Sequence, residues 1–147
     1  MPRLISHSPQ ETAKIAQQIW ADIQSFLGQK AIIIALGGEL GSGKTTFTKA
    51  LAHTMGIKDL VVSPTFTLHE EYDHFDHIDA WRVEDPSEII ALGLEKMIEN
   101  KRVIVIEWAE KIKKEIDKFR SQAMIIWIKF EYGRAVSERL VSWHDLK

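Results

Sequence analysis

The sequence predicts an α/β protein of three layers, with helices on both faces of a mixed sheet that is parallel in the centre and antiparallel at the edges. Three observations carry this reading. Ala31-Ile32-Ile33-Ile34-Ala35-Leu36 is a β-branched apolar run that leads into a glycine loop and then a helical pattern, the order of a strand–loop–helix phosphate site. Arg102-Val103-Ile104-Val105-Ile106-Glu107 is a second such run that ends on an acid, and near-continuous apolar strands are those buried on both faces. Ala123–Phe130 reads as a further strand, Tyr132-Gly133 as a turn, and residues 134–143 as its antiparallel return.

The glycine loop is Gly38-Glu39-Leu40-Gly41-Ser42-Gly43-Lys44-Thr45, the Walker A spacing, which makes the fold P-loop NTPase-like. Glycine brings the backbone close to a ligand and takes φ > 0, so that successive amides converge on phosphate oxygens. Lys44 supplies a cation for the outer phosphates, Thr45 offers a hydroxyl to Mg²⁺, and the following helix turns its positive end to the same anion. Glu39, Leu40, Gly41, Ser42, Gly43, Lys44, Thr45 and Thr46 are therefore the expected cofactor-binding wall.

At 147 residues, 1–147 are expected to form one P-loop ATPase domain. A net charge of −2 lacks the basic footprint of a stand-alone nucleic-acid binder, so a nucleic-acid role would run through a partner. The chain has no cysteine, which excludes disulfides and thiolate metal sites. Residues 1–8 lack the apolar core of a signal peptide, and no apolar run reaches the ~20 residues of a membrane span. The expectation is a soluble, cytoplasmic protein that does not enter the membrane.

In chain order, Ser8-Pro9-Gln10-Glu11 combines an N-cap serine, a proline at the first helical position and an acid that closes a capping box. The helix is expected to run to about Leu27, with Ile15, Ala16, Ile19, Trp20, Ile23, Phe26 and Leu27 as its apolar stripe and Gly28 as its stop. Trp20 is read as core packing. After the P-loop helix, which stops at Gly56, the segment Lys58 to Thr67 is a strand or taut loop, because Pro64 restricts Ser63 to extended backbone. Thr65 is the candidate there for sensing a terminal phosphate.

Residues 67–81 hold His69, Glu70, Glu71, Asp73, His74, Asp76, His77 and Asp79. A metal cluster is one reading, but alternation puts His77 and Asp79 on one face and Asp76 on the other, and spacing alone converges no ligand set. An exposed polar hairpin is expected instead. Asp85-Pro86-Ser87-Glu88 repeats the capping pattern, with Asp85 as N-cap and Gly93 as a break. Glu107 then has the position of a Walker B acid, and parallel strands would bring it to the same edge as the glycine loop. Residues 108–120 are read as a helix with a solvated charged face.

With these residues in hand, the chain resembles the TsaE (YjeE) family of small bacterial P-loop ATPases. Four motifs in order carry the likeness: the glycine loop through Thr46, Ser63-Pro64-Thr65-Phe66-Thr67-Leu68, His77-Ile78-Asp79-Ala80-Trp81-Arg82, and Val105-Ile106-Glu107-Trp108. The family usually has tyrosine where Trp81 stands, so the ring is kept and the phenolic O–H lost. The resemblance implies binding and slow hydrolysis of Mg²⁺-ATP, in complex with TsaD and TsaB. That activity supports the threonylcarbamoyl modification of the adenosine beside the anticodon, with tRNA handled through the complex.

On that basis Lys44, Asp79 and Glu107 are the catalytic candidates. Thr45 and Glu107 are the metal ligands, with Asp79 or Glu107 orienting the attacking water. Arg82 would supply an arginine in cis, unless a partner does. Trp108 would stack on the base or pack under the sheet edge. ATP is favoured over GTP because Asn100-Lys101 continues as Arg102-Val103 and makes no guanine signature. Two other classes fit the same clamp: a small-molecule or nucleotide kinase, though residues 85–100 carry no lid arginine, and a non-catalytic nucleotide switch.

Overall fold

The computed structural model describes residues 2–39, 41–57 and 68–146. Leu40 and the whole of Lys58 to Thr67, with the Thr65 candidate, lie outside the described residues. Among the described residues seven strands make one sheet: β1 (Arg3–Ser6), β2 (Ala31–Gly38), β3 (His69–Tyr72), β4 (Phe75–Asp79), β5 (Val103–Glu107), β6 (Ala123–Tyr132) and β7 (Arg139–Leu146). Their order is β1-β7-β6-β2-β5-β4-β3. The three inner pairings, among β6, β2, β5 and β4, are parallel, while β3, β7 and β1 join antiparallel, giving the mixed sheet that the apolar runs predict.

Each face of the sheet has its own core. α1 (Pro9–Ile23) and α2 (Lys44–Thr54) bring Ile15, Ile19, Ile23, Phe47 and Leu51 onto Ile32, Ile34, Val105 and Ile126. On the other face α3 (Ser87–Ala91), α4 (Leu94–Glu99) and α5 (Lys113–Asp117) bring Ile89, Leu94, Met97 and Ile116 onto Ile33, Ala35, Ile104 and Ile106. Burying one such side chain is worth ~1.5–3 kcal/mol, so the alternation within β2 and β5 drives both layers onto one sheet.

Local signals explain most element ends. Ser8 Oγ accepts from Glu11 N at 3.1 Å, and Glu11 reaches back to the amide of His7 at 2.6 Å, one residue earlier than a regular capping box. That amide holds the Glu11 carboxyl below its ordinary range. α3 starts one residue later than expected, with Pro86 in the N-cap place; Asp85 just before it still accepts from Ser87 N at 3.0 Å, which lowers its own carboxyl. Gly56 and Gly93 take φ +85° and +93° where the helical pattern stops or breaks.

Three expectations need correction, and one strand is unforeseen. The first helix ends at Ile23 and tightens into a 3₁₀ turn, leaving Leu27 52% exposed instead of in the stripe. β1, which pairs with β7, is not foreseen: four residues with no alternation give no strand signal. The expected helix over 108–120 is broken, because Trp108 sits at φ +56° and a 3₁₀ turn, Ala109–Ile112, precedes α5. β4 is no exposed hairpin strand: it lies between β3 and β5, with Asp76 and His77 both buried.

Candidate functional site

The parallel strands end together. Leu36 of β2 and Asp79 of β4 both lie opposite Glu107 of β5, so the glycine loop after β2, the acid at the end of β5 and Asp79 share one edge. Asp79 and Glu107 also share the sheet face that α2 covers, as the alternation through Phe75, Val105 and their neighbours requires.

The loop is held from several sides. Gly38, Gly41 and Gly43 take φ +138°, +75° and +110°, backbone that side chains rarely adopt. A β-carbon on Gly41 would sit 3.0 Å from the Tyr132 hydroxyl. Arg139 donates to Gly41 O at 3.2 Å and lies 4.6 Å from the Tyr132 ring centre, so the β6–β7 hairpin props the loop from outside. Glu110, on the 3₁₀ turn after β5, accepts from Gly38 N at 3.0 Å. Ser42 is fully buried, and its Oγ has no partner among the described residues.

Lys44 opens α2 and is 4% exposed. Its Nζ donates to the carbonyls of Gly38 and Glu39 and lies 4.0 Å from the Trp108 ring centre. Burial pushes the ammonium below its ordinary value, against the pull of Glu110, Glu107, Asp79 and Glu39. Thr45 Oγ1 donates to Glu107 Oε1 at 3.0 Å. The second Glu107 oxygen accepts from His77 Nε2 at 2.5 Å, which assigns the Nε2–H tautomer, and His77 Nδ1 has no partner among the described residues. Asp79 Oδ1 accepts from Trp81 N at 2.9 Å. Trp81 and Trp108 tilt together with ring centres 4.6 Å apart, and Lys111 Nζ donates to Trp81 O at 2.5 Å.

The structure thus brings Lys44, Thr45, Asp79, Glu107 and Trp108 to one edge, and Ser42 and Gly43 with them. Glu39 and Thr46 are exposed on the loop and at the head of α2. Thr46 lines a crevice of about 210 Å³ between the loop, the start of α1 and Arg139. Arg82 is exposed in the turn after β4. The sequence gives no role at this site to His77, which it reads only as part of the polar 67–81 stretch and of a family motif, and does not single out Glu110 or Arg139. The signal for His77 is its parity with Asp79 on a strand beside Glu107; Glu110 lies on a turn read as solvated helix, and Arg139 acts across 98 residues of chain.

The donors fit a phosphate and a hard cation. A threonine hydroxyl and a carboxylate within hydrogen-bond distance are the oxygen ligands Mg²⁺ takes, and the tight glycine curve with the unpartnered Ser42 hydroxyl inside it suits an anion. Asp76 is engaged elsewhere: it accepts from Arg102 and, at 2.7 Å, from His69.

Comparison with known proteins bears on this edge. A family model described as "Threonylcarbamoyl adenosine biosynthesis protein TsaE" matches residues 6–139. The tRNA threonylcarbamoyladenosine biosynthesis protein TsaE of Bacillus subtilis is 37% identical over 122 residues, covering 80% of this chain and 73% of the relative. The protein of the same name from Aquifex aeolicus is 38% identical over 121 residues, 77% of this chain and 80% of the relative. The crystal structure of Bacillus subtilis YdiB superposes with a TM-score of 0.72 at 26% identity, covering 99% of this chain and 84% of that one.

Proposed function

This chain belongs to the TsaE family, whose role is in tRNA threonylcarbamoyladenosine biosynthesis, and we propose that it serves that modification as a Mg²⁺-dependent ATPase driven by partner proteins. The observation that carries the reading is the Thr45–Glu107 contact beside Lys44, which joins the glycine loop to the acid of β5 across 62 residues.

In this reading the amides of Gly41, Ser42 and Gly43 and the ammonium of Lys44 hold the phosphates, and the crevice beside Thr46 leaves room for the nucleoside. Thr45 and Glu107 hold Mg²⁺, which would neutralise charge on the transferring phosphate. Asp79, which accepts from Trp81 N at the end of β4, orients the attacking water. His77 fixes the Glu107 carboxylate, so that its direction does not depend on solvent. Glu39, Leu40 and Trp108 border the phosphates, Thr65 senses the terminal one, and Arg82 or a partner's arginine stabilises the charge that develops, a contribution of ~10³–10⁵ in rate. TsaD and TsaB are the proposed partners, and tRNA is met through them.

The test is turnover of Mg²⁺-ATP by the purified chain, alone and with TsaB and TsaD, alongside formation of modified tRNA. Slow turnover that rises only with both partners is expected. Turnover indifferent to them, or phosphate passed to a small acceptor, would overturn the reading.

A further inference from the structure

The two faces of the sheet are not covered alike. α1 and α2 lie over one. On the other, the helices reach only the start of β6, where Ala123 and Ile125 join the core. The same face of β6 continues as Trp127 and Lys129, opposite His144 and Ser142 of β7. Among the described residues no helix covers these; instead they line an open cavity of about 620 Å³ whose far wall is the glycine loop at Gly38 together with Glu110.

The chemistry of the lining says what fits. Trp127 is half-buried, with its Nε1 buried and without a hydrogen-bond partner among the described residues, so what it presents to the cavity is apolar ring surface. Lys113, Arg120 and Lys129 line the same cavity on the side of β6, with His144 as a further polar group, while Glu39 and Glu110 stand on the loop side. Lys113 lies 5.3 Å from the Trp127 ring centre. The pairs Lys113–Asp117 at 3.0 Å and Lys129–Glu131 at 3.6 Å have lysines 60% and 67% exposed, so each is worth under ~1 kcal/mol and yields to a competing carboxylate. Arg120 has no side-chain partner among the described residues.

We propose that this cavity docks an acidic segment of a partner protein, which sets an apolar side chain on Trp127 and carboxylates against Arg120, Lys129 and His144. A protein fits better than a nucleic acid because Glu39 and Glu110 on the loop wall oppose a phosphate at every residue, whereas a peptide can keep its carboxylates on the cation side, meet the acids with backbone amides and set an apolar anchor on the tryptophan. The docked segment meets Glu110 and, through its bond to Gly38 N, the first residue of the glycine loop. Docking here therefore bears directly on the loop, which deepens the partner-driven ATPase reading and rests on it.

The experiment measures binding of the full chain to TsaB and TsaD, as wild type, as the double variant Arg120→Glu with Lys129→Glu, and as Trp127→Ala. The double variant is expected to bind roughly tenfold or more weakly, and the wild-type affinity to fall with salt, since rim charges govern encounter. Its melting temperature and its affinity for ATP alone should equal those of the wild type, because both changed residues are exposed. Unchanged binding by both variants would overturn the proposal while leaving the ATPase reading intact. Retention of tRNA by the lone wild-type chain, lost in the double variant, would overturn it in favour of nucleic acid. No binding by the wild type would remove the proposed partners themselves.

Discussion

A β-carbon built on Gly38 would meet Phe130 O at 2.5 Å and Ser42 Oγ at 2.9 Å, on backbone at φ +138°. Both obstacles are fixed: Phe130 pairs with Gly38 in the sheet and Ser42 is buried. Gly38→Ala should therefore cost more than about 2 kcal/mol, since left-handed strain and a backbone clash add. Urea unfolding would measure it, and a cost within ~0.5 kcal/mol would mean that the loop is not held as described. Lys44 is the opposite case. Its Nζ donates to carbonyls of the loop and sits over the Trp108 ring at the site's edge, so removing it leaves the two cores untouched and takes away the charge that the loop is arranged to carry. Glu107 stands between the two cases: both oxygens are occupied, by Thr45 and His77, and burial makes its direction a property of the fold.

At the scale of elements, magnitudes decide which charges matter. Asp76 is 1% exposed and joins β4 to Arg102 before β5 and to His69 on β3. Arg102 also donates to Tyr72 O at 2.8 Å, which ties down the β3–β4 turn. Asp76→Ala would leave the mostly buried Arg102 guanidinium uncompensated and take away the partner of His69, and a loss of about 2–4 kcal/mol in urea unfolding is expected. Asp117→Ala, by contrast, breaks an exposed pair and should cost under ~1 kcal/mol. Equal costs for the two would contradict the burial described for β4. The sequence made the capped helices and the two apolar strands legible because Ser8, Asp85, Gly56 and the β-branched runs are local signals. It hid β1, whose only warrant is its pairing with β7, and the break at Trp108, where one left-handed residue ends what reads as a continuous helix.

At the scale of the molecule, the sheet order places the site. Three parallel strands end at one edge with Leu36, Glu107 and Asp79 in register, so residues spread over 71 positions of chain meet there. The glycine loop, the β5 acid and Asp79 were each legible as motifs; what periodicity could not give was their bracing. His77 depends on which strand lies beside β5, Glu110 on the turn after it, and Arg139 on a hairpin that returns from the far side of the sheet. These are tertiary juxtapositions that no local pattern encodes.

The claim on which the rest depends is that this edge binds ATP through Lys44, and the most direct measurement is a calorimetric titration of Mg²⁺-ATP into the wild type and Lys44→Ala. Loss of the charged hydrogen bonds should weaken binding ~10–100-fold or more, with the melting temperature of the unliganded variant unchanged. Equal affinity in the two proteins would contradict the site.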